Sequence, residues 1–232
     1  GWVRTRNGHD YDANSLTFKT GDALSCTFNC RSNDNIVGIS TSGRCYAVPI
    51  KNLPGGRSES VPFTSLVDVE SGTSVRSFVA GSTNTPVVIV TKNGLGLLTE
   101  IKGMVARNRS GKHFIVLGKD DTPISMFKTD QKNNAIAILT KFQRLLIFGQ
   151  SEIKKLSNGG RGIILISLNE GDCVSDTAKI SDKGLLVSGK TKNNKIKQKK
   201  LTKDELISFV SKRARKGKHL KQKFNVEKIT AL

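Results

Sequence analysis

The sequence predicts an all-β fold built from repeated units, and three observations carry that expectation. An apolar strand, a polar turn and a second apolar strand recur along the chain at nearly even steps. A loop rich in Gly and Arg/Lys follows each recurrence. The 232 residues hold 38 Lys/Arg against 19 Asp/Glu, a net charge of +19, and such a field favours a polyanionic partner with fast, salt-sensitive association.

The opening Gly1-Trp2-Val3-Arg4 reads as the second strand of a hairpin. Asn35–Ser40 then leads through Thr41-Ser42-Gly43 to Arg44–Val48, and Pro86–Val90 through Thr91–Gly94 to Leu95–Leu98. Ala135–Leu139 leads through Thr140–Gln143 to Arg144–Phe148. A weaker copy runs from Gly184–Ser188 through Lys190–Asn194 to Lys195–Lys197. Gly and Asn tolerate the positive φ of tight hairpins, and β-branched runs suit strands buried on one or both faces. The turns fall near 1, 43, 94, 143 and 193, steps of 42, 51, 49 and 50 residues. A period near 50 with several strands per unit is propeller-like, and five units fill residues 1–232 as a single domain. Trp2 is not followed by Asp and Gly8-His9 is the one Gly-His pair, so the pattern is not that of a WD-repeat propeller. On pattern alone, a β-sandwich with coincidental spacing is the alternative.

The loops after the hairpins are Arg4-Thr5-Arg6-Asn7-Gly8, Gly55-Gly56-Arg57, Arg107–Lys112, Gly159-Gly160-Arg161-Gly162 and Arg213–Lys218. Stacked units place them at equivalent positions, as one basic band around the perimeter. Arg and Lys neutralise phosphates and release counterions, and Gly lets backbone N–H groups approach phosphate oxygens. Backbone contacts of this kind carry no base information. The candidate contacts are Arg107, Arg109, Lys112, Arg213, Arg215, Lys216 and Lys218, followed by Arg4, Arg6, Arg57 and Arg161. Charge concentrates at the end: residues 189–232 carry fifteen Lys/Arg and three Asp/Glu. Thr202-Lys203-Asp204-Glu205 is a capping box, and Leu206, Phe209 and Val210 follow at helical spacing, predicting a short helix over 203–212 in place of a loop.

Catalytic chemistry finds little support. The three His are His9, His113 and His219, and His9-Asp10 with Asp12 forms no fixed-spacing motif. No nucleophile elbow, P-loop or zinc signature is present. Tyr11 and Tyr46 are the only phenols, and Tyr46 lies in an apolar strand. Cys26, Cys30, Cys45 and Cys173 are too few and too irregular for a disulfide scaffold and read as reduced thiols of a cytosolic protein. No run of 18 apolar residues occurs to span a membrane.

Several stretches in combination resemble the C-terminal domain of topoisomerase IV A subunits (ParC). They are Gly1–Arg4 with Gly8-His9-Asp10, Leu16-Thr17-Phe18-Lys19-Thr20-Gly21-Asp22, Thr41–Ala47, Val105–Lys112, and Lys203–Leu206 ahead of the Arg213–Lys218 loop. The resemblance covers essentially the whole chain. It implies a broken five-blade β-propeller, the β-pinwheel, with a short helix in its last blade. It implies sequence-nonspecific binding and bending of the duplex segment to be transported, with no catalytic site and no cofactor in these residues. ATP and Mg then belong to the holoenzyme, an A2B2 heterotetramer with the B subunit ParE, in the nucleoid of a bacterial cytoplasm; the domain alone is expected to be monomeric. The related gyrase A domain carries a Gln-x-Arg-Gly-Gly-x-Gly box. Leu53–Glu59 is degenerate at that place, and Ser157–Gly162 keeps the Gly-Gly-Arg-Gly half in a later repeat, which favours topoisomerase IV and weak wrapping.

Overall fold

The computed structural model describes residues 1–8, 12, 16–18, 20–55, 59–129 and 135–232. His9, Asp10, Tyr11, Lys19, Gly56 and Arg57, singled out above, lie outside the described residues. In chain order the strands are β1 (Trp2–Val3), β2 (Asn35–Ser40), β3 (Arg44–Pro49), β4 (Val61–Pro62), β5 (Val75–Gly81), β6 (Pro86–Thr91), β7 (Leu95–Glu100), β8 (Lys112–His113) and β9 (Pro123–Lys128). They continue with β10 (Ala135–Thr140), β11 (Arg144–Gly149), β12 (Ile163–Ile164), β13 (Val174–Lys179), β14 (Leu185–Lys190), β15 (Ile196–Leu201), β16 (Lys218–His219) and β17 (Asn225–Ala231). Five antiparallel sheets result, ordered β1-β4, β5-β2-β3-β8, β12-β7-β6-β9, β13-β10-β11-β16 and β15-β14-β17.

One rule generates the last four sheets. A hairpin forms, a helical turn follows its second strand, and a two-residue strand crosses to the outer edge of the preceding sheet. The chain then returns to its own sheet as the inner strand. Thus β8 pairs with β3, β12 with β7 and β16 with β11, each contributed by the next repeat. β4 does the same for β1. The inner strands β5, β9, β13 and β17 pack one on the next. Ser77 Oγ binds both the carbonyl and the amide of Met126, and the Ile229 amide donates to Asp176 Oδ2 at 2.8 Å. Burial pushes the Asp176 carboxyl above the usual carboxylate range, against the opposing pull of the Ile229 and Thr177 amides.

Period-2 alternation explains why the central strands are apolar without interruption. In β6, Val87 and Ile89 face the sheet before and Val88 and Val90 the sheet after. In β10, Ile136 and Ile138 face backward, Ala137 and Leu139 forward. Four apolar clusters therefore fill the spaces between successive sheets, and none of them, among the described residues, joins the first sheet to the last. The last sheet is buried on one face only: Leu185, Val187, Leu201 and Ile229 meet the third hairpin's sheet. On its other face Leu186 pairs with Lys200 and Thr230, and Ser188 with Gln198 and Lys228.

The helix prediction needs two corrections. A helical turn is not peculiar to the last repeat: Ile50–Asn52, α1 (Ile101–Met104) and Gln150–Glu152 occupy the same place in the others. The last-repeat helix, α2, is confined to Lys203–Ile207, although its capping box is formed as expected. It stops because the chain bends to pair: the Ile147 amide donates to the Phe209 carbonyl and the Ser211 amide to the Ile147 carbonyl.

Candidate nucleic-acid interface

The Arg107–Lys112, Gly159–Gly162 and Arg213–Lys218 loops each lead into an outer-edge strand, β8, β12 and β16, so they lie on the side of their sheets opposite the packed inner strands. Backbone hydrogen bonds also tie these loops to the preceding repeat. The Thr5 amide donates to the Pro54 carbonyl at 2.7 Å, and the Asp68 amide to the Arg109 carbonyl at 3.0 Å. The Gly160 amide donates to Phe114 O and the Val116 amide to Gly160 O. The Ala214 amide donates to Leu165 O and the Ser167 amide to Arg215 O. The chain at Pro54 and the loops at 107–112, 159–162 and 213–218 are thereby each anchored beside the segment that follows the preceding outer strand.

Gly111, Gly159, Gly162 and Gly217 in these loops serve this anchoring. Gly111, Gly162 and Gly217 have φ of +61°, +77° and +66°. A Cβ on each would collide with the carbonyl of Cys45, Gly96 or Leu145, the second residue of the strand being joined. Only a residue without a side chain permits the outer strand to approach so closely. Gly159 likewise backs onto the Phe114 carbonyl.

The candidate cations divide into two sets. Arg109 donates to Ser65 O at 2.8 Å and its Nε lies 3.4 Å from Asp68 Oδ1. Arg213 is half-buried; its guanidinium donates to Ile164 O and its amide to Glu152 Oε2. The Lys112 ammonium sits 5.6 Å from the Phe114 ring centroid. These side chains are committed to the fold. Arg6 also has an intramolecular partner. By contrast Arg4, Arg107, Arg161, Arg215, Lys216 and Lys218 are exposed or half-exposed and make no hydrogen bond or ion pair through their side chains among the described residues. Arg57 lies outside the described residues. Side chains without a partner among the described residues thus recur on loop after loop.

Sequence reasoning missed Arg44 and Arg144, which hold two of the loops in place. Arg44 donates to Ser110 O at 3.0 Å and Gly111 O at 3.3 Å, and Arg144 to Gly217 O at 2.9 Å. A signal for them exists in the repeated Gly-Lys-His at 111–113 and 217–219. Each of those His residues stands in register opposite one of the two arginines.

The described residues contain no cluster of three or more His, Cys, Asp or Glu suited to a metal ion, and no helix long and apolar enough to cross a membrane. All four cysteines are free thiols, and burial pushes that of Cys45 up to about 12.

The chain matches no protein-family model. It is 30% identical over 224 residues to the DNA topoisomerase 4 A chain of Haemophilus influenzae, covering 95% of this chain and 30% of that protein. It therefore spans about three tenths of the length of the curated relatives it matches. Its fold is that of the Escherichia coli ParC C-terminal domain, with a TM-score of 0.80 at 24% identity over 99% of this chain and 94% of that one. A gyrase A C-terminal domain follows at a TM-score of 0.66 and 15% identity, covering 90% of this chain and 70% of that one. Sequence and fold agree along essentially the whole chain: it resembles the C-terminal domain of the bacterial topoisomerase IV protein ParC, with the gyrase A C-terminal domain a more distant relative in structure.

Proposed function

We propose that this chain is the DNA-binding domain of a type IIA topoisomerase of the ParC kind, gripping duplex DNA through its phosphates without reading sequence. The observation that carries the proposal is the recurrence, on successive loops, of cations without a partner among the described residues: Arg107, Arg161, and Arg215 with Lys216 and Lys218. A curved row of such groups suits a bent duplex. Bending costs on the order of 1–6 kcal/mol over a few helical turns, and several phosphate contacts with counterion release offset it. The parent protein would be an ATP-dependent enzyme acting with ParE in an A2B2 assembly in the bacterial cytoplasm. This domain would engage the transported segment and so set the preference among DNA crossings. Strand cleavage and ATP binding would lie elsewhere in that assembly. Gyrase-type wrapping is not favoured, since the Gly-Gly-Arg-Gly at 159–162 has packing reasons of its own.

The test is affinity for a random duplex of about 40 base pairs across a salt series. Each phosphate neutralised contributes about −0.9 to the slope of log K on log salt. Arg107→Glu with Arg215→Glu should weaken binding alike on all sequences and flatten the slope by about two phosphates' worth. An unchanged slope would remove these residues from the interface. Absence of binding at low salt would sink the DNA reading and favour a protein-interaction scaffold.

A further inference from the structure

The four hairpin turns share one frame and differ in one partner. In each, the amide of the third turn residue (Gly43, Gly94, Gln143, Asn194) donates back to Ser40, Thr91, Thr140 or Thr191, at 2.9–3.0 Å. All four have positive φ, from +56° to +79°. An acidic side chain then closes the middle of the first three turns. Asp121 accepts from the Thr91 hydroxyl at 2.8 Å and the Asn93 amide at 2.9 Å. Asp172 accepts from the Phe142 amide at 3.0 Å. Glu70 accepts from the Ser42 hydroxyl at 2.9 Å.

Among the described residues no acid closes the last turn. The segment that comes up to it carries Lys223 instead, and the two line one open concavity together with Lys190, Lys192 and Glu227. The amides of Lys192 and Asn193 make no hydrogen bond among the described residues. Asn193 is the counterpart of Asn93 and Phe142, whose amides the carboxylates cap. Lysines alone would be an ordinary solvated surface. What singles this turn out is a place filled by a carboxylate in the sister repeats, here without one among the described residues and lined by three lysines against one glutamate.

We propose that a phosphate group binds this turn in place of the absent carboxylate, accepting from the Lys192 and Asn193 amides and paired with Lys190, Lys192 and Lys223. Successive free amides beside cations form an anion-binding concavity, and charge-assisted bonds to phosphate are the stronger class of hydrogen bond. The phosphate comes either from a duplex backbone, which extends the proposed DNA-binding surface onto the last hairpin, or from a small phosphate ligand. Only the duplex source rests on the DNA reading.

Amide chemical shifts of the domain, titrated separately with inorganic phosphate and with a duplex of about 20 base pairs, test this. Saturable shifts centred on Lys192 and Asn193 are expected. Lys223→Asp, which returns an acid to the slot at an exposed position, should raise the apparent Kd for phosphate by about tenfold or more; Lys223→Ala should do so less. The turn at Thr91–Gly94 should stay still throughout. Movement of the two amides by both probes assigns the source to DNA. Movement by phosphate alone, while duplex shifts only the Arg107 and Arg215 loops, assigns it to a small ligand. Phosphate-induced shifts with no duplex binding anywhere would leave this site standing and overturn the DNA reading. Shifts at Lys192 and Asn193 no larger than at other exposed lysines, or unaltered by Lys223→Asp, would overturn the site.

Discussion

In the β13-β10-β11-β16 sheet, Ile136 and Ile138 face one neighbour and Ala137 and Leu139 the other. In the β15-β14-β17 sheet, Leu185 and Val187 face a neighbour, while Ser188 and Lys190 pair with Gln198, Lys228, Ile196 and Asn225 on an open face. The hairpins are alike in geometry; their surroundings are not. The first receives β16 on its outer edge from the following repeat. Among the described residues the second receives no such strand, and β15 is solvent-exposed from Ile196 to Lys200. A repeat in mid-array uses both faces and its edge to hold its neighbours. The last described repeat presents a polar face and leaves Lys190, Lys192 and Lys223 and two turn amides without a partner among the described residues.

The largest effect should come from unlocking a received edge strand. Gly111→Ala places a Cβ against the Cys45 carbonyl at a φ of +61°. The clash and the backbone strain together should cost about 3–5 kcal/mol of stability, read as a shift in the denaturant midpoint. A variant as stable as the parent would show that β8 does not need this close approach.

A smaller effect sharpens the contrast between the two hairpins. Ile138 is fully buried and Ile196 is 75% exposed, yet both are strand residues of the same type. Ile138→Ala should cost about 3 kcal/mol and Ile196→Ala less than about 0.5 kcal/mol. Equal losses in thermal unfolding would mean that the outer edge of the last sheet is covered in solution.

The legible part of this fold was what local pattern encodes. Apolar runs on either side of short turns mark the first three hairpins, because strands buried on both faces leave no polar positions. The Thr202–Glu205 capping box also speaks for itself, being closed within four residues. Crossover strands such as β8 and β12 are two residues long, and no periodicity can announce so short an element; their pairing is fixed by Gly111 and Gly162, which read as generic loop glycines. The partners of the loop arginines are hidden from the sequence for the same reason. Whether an arginine is free, as Arg107 is, or tied down, as Arg109 is to Ser65 and Asp68, depends on partners some forty residues away. The acid closing each turn lies about thirty residues downstream, so its absence from the last repeat shows only once the repeats are superposed in structure.

The smallest effect concerns α2, which carries the chain from the last sheet back to β16 at the edge of the sheet before it. Thr202 Oγ1 accepts from the Glu205 amide at 3.4 Å, and Glu205 Oε2 accepts from the Thr202 amide at 2.9 Å. Loss of the cap in Thr202→Ala should cost about 1 kcal/mol. The Thr202 amide, with Lys199 2.9 Å from Oε1, holds the Glu205 carboxyl below the usual carboxylate range. A carboxyl lowered in the folded state stabilises fully above its unfolded pKa, about 4.3, and ceases to do so as pH falls through the folded value. The stability gap between the parent and Glu205→Gln should therefore be widest at neutral pH and close toward acid pH. A gap of constant size across that range would mean that the side chain's shape, rather than its charge, seats the helix against the last two sheets.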